Sequence, residues 1–183
     1  MKPMFEKLYD EFEHQRLLLA DPSDVEVRYA EDNKEMSIGA KRNLLLHMAE
    51  GDYIVFFDSD DFPYWFYLME ILDALKTNPD CVGFLIHMTT NGRNPQVCCH
   101  SLKFAEWAKR KHGYDYVRNC THFNPVRRDI ALQVGFKDVR YGEDKIYSDA
   151  VSKICKTEVF INKKLFHYRY SNAVQHSKKY GIR

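Results

Sequence analysis

The chain has 183 residues, of which 45% are hydrophobic and 14% aromatic, so it can bury one sizeable core and is predicted to form a single domain over residues 1–183. Its 27 Lys and Arg residues nearly balance its 26 Asp and Glu residues. No global field therefore recruits nucleic acid or an acidic membrane, and an anionic ligand must be bound locally.

Helix and strand patterns alternate along the first part of the chain. Apolar periodicity predicts a helix over 4–20, and the alternation of Val25, Val27 and Tyr29 predicts a strand over 24–30. Ser37 is suited to cap a second helix, which is predicted to close at Gly51. A strand over 53–57, a helix over 64–76 and a strand over 81–88 follow.

This alternation is typical of βαβ units and predicts a largely parallel sheet. The segment 90–96 is rich in turn residues. Beyond it, the patterns predict helices over 102–111, 127–134 and 143–154 and short strands over 158–161 and 165–170.

The five cysteines and the apolar segments restrict the setting of the protein. The cysteines are odd in number and contain no Cys-x-x-Cys pair, which argues against a disulfide framework and a structural zinc site and favours a reducing, cytoplasmic location. No apolar stretch approaches the roughly 18 residues that a transmembrane helix requires. The sequence therefore predicts no membrane span.

An acidic cluster, Asp58-Ser59-Asp60-Asp61, follows directly behind the apolar run 53–57. Open α/β sheets bind ligands at the carboxyl ends of their strands. Carboxylates this close repel one another unless a cation lies between them, and Mn²⁺ or Mg²⁺ would suit their oxygen ligands. The alternative is an acidic turn that caps the next helix.

Three further positions carry side chains suited to chemistry. The run from Ser37 to Asn43 places Gly39, Lys41 and Arg42 in the first turns of a helix, where free N–H groups favour a diphosphate, although an ordinary capped helix is the alternative. Glu143-Asp144 opens a late helix, either as capping acids or as a general base. His167 lies on a predicted strand, as a core residue or as a ligand.

Together these motifs resemble the family 2 glycosyltransferases of the GT-A fold. The resemblance is carried by residues 39–43, by residues 49–61 with the acidic cluster, by Gly142-Glu143-Asp144 and by His167-Tyr168-Arg169. It covers nearly the whole chain, to about residue 171. It implies an α/β fold with three α/β/α layers and a mostly parallel, nucleotide-binding central sheet.

The resemblance also implies an inverting, metal-dependent transfer of a sugar from a nucleotide-sugar donor, a UDP-sugar first among them, to a glycan or another acceptor hydroxyl. In the DxD motif, Asp60 would bind Mn²⁺ or Mg²⁺ with help from Asp61, and His167 would bind the metal from the far side. The other implied roles are catalysis by Asp144, with Glu143 beside it in the ED motif, and donor binding by Asp32, Gly39, Lys41, Arg42 and Asp58.

Two alternatives and one departure accompany this hypothesis. The family's first strand, which lines the nucleotide pocket, has no counterpart before Met4, so the domain is predicted to be N-terminally incomplete. A non-catalytic binding module on the same fold is one alternative. A haloacid-dehalogenase-like phosphatase is the other, although Phe62 replaces the Thr or Val expected after its second acid. An exposed strand edge would also be compatible with a homo-oligomer.

Overall fold

Eight strands form one mixed sheet in the computed structural model, which describes residues 4–33 and 35–170. The helices are α1 (Met4–Leu17), α2 (Ile38–Met48), α3 (Tyr67–Leu75), α4 (Arg128–Val134) and α5 (Glu143–Ile154). The strands are β1 (Tyr53–Ile54), β2 (Phe62–Pro63), β3 (Cys81–Thr90), β4 (Arg93–His100), β5 (Ala108–Lys111), β6 (Tyr114–Arg118), β7 (Val126–Arg127) and β8 (Glu158–Tyr170).

The sheet is mostly antiparallel, and the prediction of a largely parallel sheet was wrong. The central strand β3 pairs in parallel with β8, and β4 pairs in parallel with β6, whereas the other strand pairs are antiparallel. Asn91 and Gly92, both with positive φ angles of 50° and 72°, join β3 to β4 in a tight hairpin. A two-residue turn of this kind can only connect antiparallel strands.

The predicted helices are confirmed at five places, because amphipathic periodicity and capping residues mark them locally. The exception is the helix predicted over 102–111, where the structure has a loop followed by β5. Residues 25–30 belong to no strand ladder among the described residues, so the strand predicted over 24–30 was wrong as well. The two strands predicted over 158–170 are one long strand, β8.

Alternate side chains of β3 divide the core into two clusters on opposite faces of the sheet. Val82, Phe84 and Ile86 pack against α1 and α3. Cys81 faces the other way and packs with residues of α2, α4 and α5. The expected three layers of helix, sheet and helix are confirmed. All five cysteines are buried free thiols, and the described helices include none that is long and apolar enough to cross a bilayer.

Helix α2 begins where the chain packs most tightly. Ser37 caps it as predicted, because its hydroxyl accepts a hydrogen bond from the Ala40 amide at 3.0 Å. A Cβ atom added to Gly39 would lie 1.8 Å from the carbonyl oxygen of Lys137, which is backbone and has little freedom to move. The loop before α5 therefore approaches α2 at a distance that only glycine allows.

This close approach predicts a loss of stability on Gly39→Ala. Alanine normally favours a helix by up to about 1 kcal/mol over glycine, but the overlap should reverse the sign and lower the free energy of unfolding by about 1–3 kcal/mol. Urea denaturation measures the change. Gly51→Ala is the matched control, since a Cβ there would lie 3.5 Å from its nearest neighbour, the carbonyl oxygen of Tyr53. Equal stability of the two variants would contradict the packing.

Candidate active site

The acidic cluster forms a turn at the end of the segment that β1 begins. The amide of Phe56 donates to the carbonyl of His122 at 2.8 Å, and the amide of Asp61 donates to the carbonyl of Asp58 at 3.0 Å. The turn gives its three acids different environments. The side chain of Asp58 is 44% exposed, Asp60 is exposed and Asp61 is buried.

The guanidinium of Arg42 joins this turn to the start of α5. Its Nη2 lies 2.7 Å from Oδ1 of Asp58, and its Nη1 lies 2.5 Å from Oε1 of Glu143. Arg42 and Glu143 are both buried, and the Arg42 guanidinium also lies over the ring of Phe136, 5.6 Å from its centroid. Burial raises the pKa of Glu143, and the charge of Arg42 opposes that shift. The two predicted acidic motifs therefore meet around one arginine.

One face of α2 holds the segment that leads into α5. Gly39, Arg42 and Asn43 lie three and four positions apart, which places them on the same side of the helix. Gly39 contacts Lys137, and the Asn43 side chain both donates to the carbonyl and accepts from the amide of Phe136, each at 2.7 Å. Together with the Arg42–Glu143 pair, these contacts position residues 136–143.

At the predicted diphosphate site, two amides in the first turn of α2 already bind other parts of the protein. The amide of Gly39 donates to the carbonyl of Val139 at 3.3 Å, and the Ala40 amide is used by the Ser37 cap. The Ser37 hydroxyl also contacts Asp138, whose negative charge would repel an anion. Gly39 thus packs against protein where donor binding was expected. The helix start is closed by the loop over 137–139, a contact for which the local sequence carries no signal.

Lys41 and Asp32, which were both predicted to contact the donor, form an ion pair with each other. Lys41 Nζ lies 2.6 Å from Oδ1 of Asp32, whose Oδ2 accepts a hydrogen bond from the Met36 amide at 2.7 Å. The charges of Lys41 and Arg42 are therefore already compensated by protein carboxylates. The structure gives both cations partners other than the predicted diphosphate.

Glu143 and Asp144 point in different directions from the first turn of α5. Gly142, with a φ of 84°, caps the helix in a left-handed conformation that favours glycine. Glu143 turns inward to Arg42, whereas Asp144 is half-buried and accepts a hydrogen bond from the Lys145 amide at 2.8 Å. No ion pair of Asp144 occurs within the described ranges. Its carboxylate is thus available at the rim of the site.

Asp61 is a buried carboxyl group whose oxygens are poorly compensated. It is 1% exposed, and neither of its oxygens makes a hydrogen bond of ordinary geometry. Burial raises its pKa to about 9, Asp58 and Asp60 add to the rise, and the backbone and charge of Arg169 offset part of it. Such a group must hold a proton at neutral pH unless a cation joins it. An orphaned carboxylate beside the exposed Asp60 fits a divalent ion.

His167 does not join Asp60 and Asp61. Register pairing places it opposite Phe62, but its Nε2 lies 2.8 Å from the Thr89 hydroxyl, and its ring stacks on His87 at 4.5 Å between centroids. The three predicted metal ligands do not bring their ligand atoms within 4.8 Å of one another. The predicted three-residue metal site is therefore not assembled in this structure.

Among the described residues, one group of three side chains has potential metal-ligand atoms within 4.8 Å of one another. It consists of Cys81, Cys120 and Glu158. Glu158 already accepts hydrogen bonds from the Ser101 hydroxyl at 2.6 Å and the Leu102 amide at 2.8 Å. The contact with the Cys120 sulfur, together with burial, raises the pKa of the Cys81 thiol. Protonated thiols and a satisfied carboxyl group account for this cluster as core packing.

His122 is a residue of this region that the sequence did not reveal. It is 4% exposed, and its Nε2 lies 3.9 Å from Oδ2 of Asp58. Burial, with smaller effects of Arg42, His100 and Arg118, lowers its pKa well below the usual range for histidine, so its ring is neutral. Its position in an irregular segment gave no periodic pattern or ligand spacing by which it could have been found.

Comparison with known proteins identifies a family and similar folds. The sequence model of the family described as Glycosyl transferase family 2 matches residues 7–135. The structure of S. aureus TarS 1–349 in complex with UDP-GlcNAc is similar with a TM-score of 0.58 and 15% identity, covering 78% of this chain and 42% of that one. The complex of the same protein with UDP is similar with a TM-score of 0.55 and 18% identity, covering 74% of this chain and 40% of that one.

The chain therefore spans less than half the length of these TarS structures. At such identity the likeness shows a shared fold. No curated protein matches the sequence.

The buried Asp61 predicts a pH-dependent gain in stability on Asp61→Asn. An acid with a raised pKa stays protonated in the folded protein while it ionises in the unfolded chain, so its contribution to the free energy of unfolding falls as the pH rises from about 4 to about 9. In EDTA, the variant should gain little at pH 5 and on the order of 2–4 kcal/mol at pH 8.

Chemical denaturation at both pH values measures this difference. Asp52→Asn, which removes an exposed carboxylate, controls for the loss of one negative charge. A gain that is the same at pH 5 and pH 8, or a loss at pH 8, would show that Asp61 is not a destabilising buried acid.

Proposed function

The chain belongs to glycosyl transferase family 2, and we propose that it transfers a sugar, with inversion, from a nucleotide-sugar donor to an acceptor hydroxyl. The observation that carries the proposal is the bridge of Arg42 between Asp58 and Glu143. This bridge holds the acidic turn beside the first turn of α5. In the proposal, the groups that accept the leaving diphosphate and the group that activates the nucleophile belong to one site.

In this proposal Asp144 is the general base. Its carboxylate is half-buried and has no cation partner within the described ranges, whereas the adjacent Glu143 is held by Arg42. Taking the proton of the attacking hydroxyl requires an ionised carboxylate within hydrogen-bonding distance of it. A base on the side of the anomeric carbon opposite the leaving group produces inversion.

Asp60 and Asp61 are the residues that would hold a divalent cation, Mn²⁺ or Mg²⁺. Such ions are commonly bound by one or two protein carboxylates together with substrate phosphates, which matches a pair without a histidine. The ion would supply Lewis-acid stabilisation of the charge on the leaving diphosphate. The orphaned oxygens of Asp61 support this assignment, because a cation would satisfy them.

We propose a UDP-sugar as the donor, since the similar TarS structures bind UDP-GlcNAc and UDP. Asp58 is half-exposed beside the metal carboxylates, where it can accept a hydrogen bond from a donor hydroxyl. Asp32 remains the proposed contact of the nucleobase of the donor. Gly39, Lys41 and Arg42 shape the site through their protein partners.

The family assignment removes the grounds for a dehalogenase-like phosphatase. A binding module without transfer remains the second candidate, because the chain covers only part of the similar structures. Nucleotide binding without any donor turnover would favour that candidate.

Nucleotide binding tests the metal site. UDP with Mn²⁺ should raise the melting temperature of the protein, and Asp60→Ala should abolish the increase because one of the two metal carboxylates is lost. Differential scanning calorimetry or fluorimetry measures the shift, with Asp52→Ala as the control for an exposed acid. An unchanged melting temperature of the wild-type protein with UDP and other nucleoside diphosphates would refute donor binding.

Donor hydrolysis tests the base without knowledge of the acceptor. Asp144→Asn should lower the rate of UDP release from a turned-over UDP-sugar by about 10²–10⁴-fold while UDP affinity stays within threefold, since the proton acceptor is lost and the metal site is intact. Asp149→Asn is the matched control, because Asp149 lies on the same helix and its carboxylate pairs with Lys145. An unimpaired Asp144→Asn variant would remove Asp144 from catalysis.

A further inference from the structure

His122 lies next to Asp58 in the proposed donor site. Its carbonyl accepts the hydrogen bond of the Phe56 amide, so its backbone is fixed beside the segment that ends in the acidic turn. Its ring packs on Phe123, with 3.9 Å between centroids. The Asp58 carboxylate also lies near the ring, at 3.9 Å from Nε2.

Both ring nitrogens of His122 are buried and make no hydrogen bond. Leaving buried polar groups unpaired costs about 1–3 kcal/mol each, and most buried side-chain polar atoms are paired. A second buried histidine, His100, shows the ordinary arrangement, since its Nδ1 lies 3.0 Å from the side-chain oxygen of Asn124. The unpaired ring therefore distinguishes His122 from this second buried histidine and is consistent with a partner supplied in another state of the site.

The Asp58 carboxylate is the group that can become this partner. Its Oδ1 is held by Arg42 at 2.7 Å, while its Oδ2 faces His122. Closing the gap from 3.9 Å to an ordinary hydrogen bond requires a shift of about 1 Å, which a half-exposed side chain can make. A neutral imidazole carries one N–H donor, and this donor would complete the set of contacts to the carboxylate.

We propose that His122 is a positioning residue of the donor site, whose Nε2–H binds Oδ2 of Asp58 when a nucleoside diphosphate occupies the cleft. Asp58 is then fixed from below by Arg42 and His122. Each carboxylate oxygen has two lone-pair sites, so one on each oxygen remains for a donor hydroxyl. This inference rests on the proposed function and names the residue that orients its donor-binding acid.

Two substitutions of His122 separate positioning from packing. His122→Phe keeps an aromatic ring of similar size but removes the N–H group, whereas His122→Gln keeps an N–H donor near the position of Nε2. Isothermal titration with UDP and Mg²⁺ should give about tenfold weaker binding for His122→Phe and binding within about threefold of wild type for His122→Gln. Circular dichroism and the melting temperature verify that both variants fold.

A double substitution tests whether His122 acts through Asp58. If it does, His122→Phe should weaken UDP binding no further once Asp58→Ala is present. The ¹⁵N resonance of His122 Nε2 should also shift when UDP and Mg²⁺ saturate the wild-type protein, which a purely structural side chain would not show.

The outcomes distinguish this inference from the proposal on which it rests. Two results would overturn the positioning role alone. One is that His122→Phe binds UDP as tightly as the wild-type protein does, and the other is that His122→Phe and His122→Gln weaken UDP binding equally. No binding of any nucleoside diphosphate by the wild-type protein would overturn both.

Discussion

The buried guanidinium of Arg42 is the contact on which the geometry of the site depends. It takes one carboxylate from the turn after β1 and another from the first turn of α5. A buried cation loses its hydration and is tolerated only where anions replace that water, and the planar fork of arginine suits two such contacts at once. The distance between the acidic turn and α5 is therefore set by the reach of one side chain, held in turn against Phe136.

The acids of the site differ in how they are compensated, and this difference gives each a separate capacity. Glu143 is buried and paired, so it is structural. Asp61 is buried and unpaired, so it destabilises the protein until a cation or a proton reaches it. Asp144 is half-buried and outside any described ion pair, which leaves it able to accept a proton. Functional sites commonly retain groups that lower stability in this way.

The sequence allowed prediction of what is encoded locally. The helices carry apolar periodicity and caps, and the acidic turn and the Glu143-Asp144 pair were recognised as motifs. Strand direction has no local signal, and the hairpin of β5 and β6 was missed because its strands are short, charged and partly exposed. The turn between these strands requires positive φ angles at His112 and Gly113, and of these two residues only the glycine indicates a turn in the sequence.

Within the site, the structure adds contacts between segments distant in sequence that the local sequence does not indicate. Gly39, Lys41 and Arg42 were assigned to the donor because a glycine and cations at a helix start suit an anion. Whether the amides there are free depends on the loop over 137–139, about 100 positions later. His122 was missed for the same reason, since its relation to Asp58 arises from the pairing of the Phe56 amide with its carbonyl.

These long-range contacts give the motif of residues 39–43 a different physical meaning. Its glycine lets the loop at Lys137 approach, its asparagine binds both backbone groups of Phe136, and its arginine binds Glu143. All three act from one face of α2 on the segment that delivers Asp144. Because Arg42 also binds Asp58, helix α2 fixes the separation between Asp58, the proposed donor-binding acid, and Asp144, the proposed general base. In the proposed transfer, a motif that resembles a phosphate clamp would act by fixing the distance between two carboxylates.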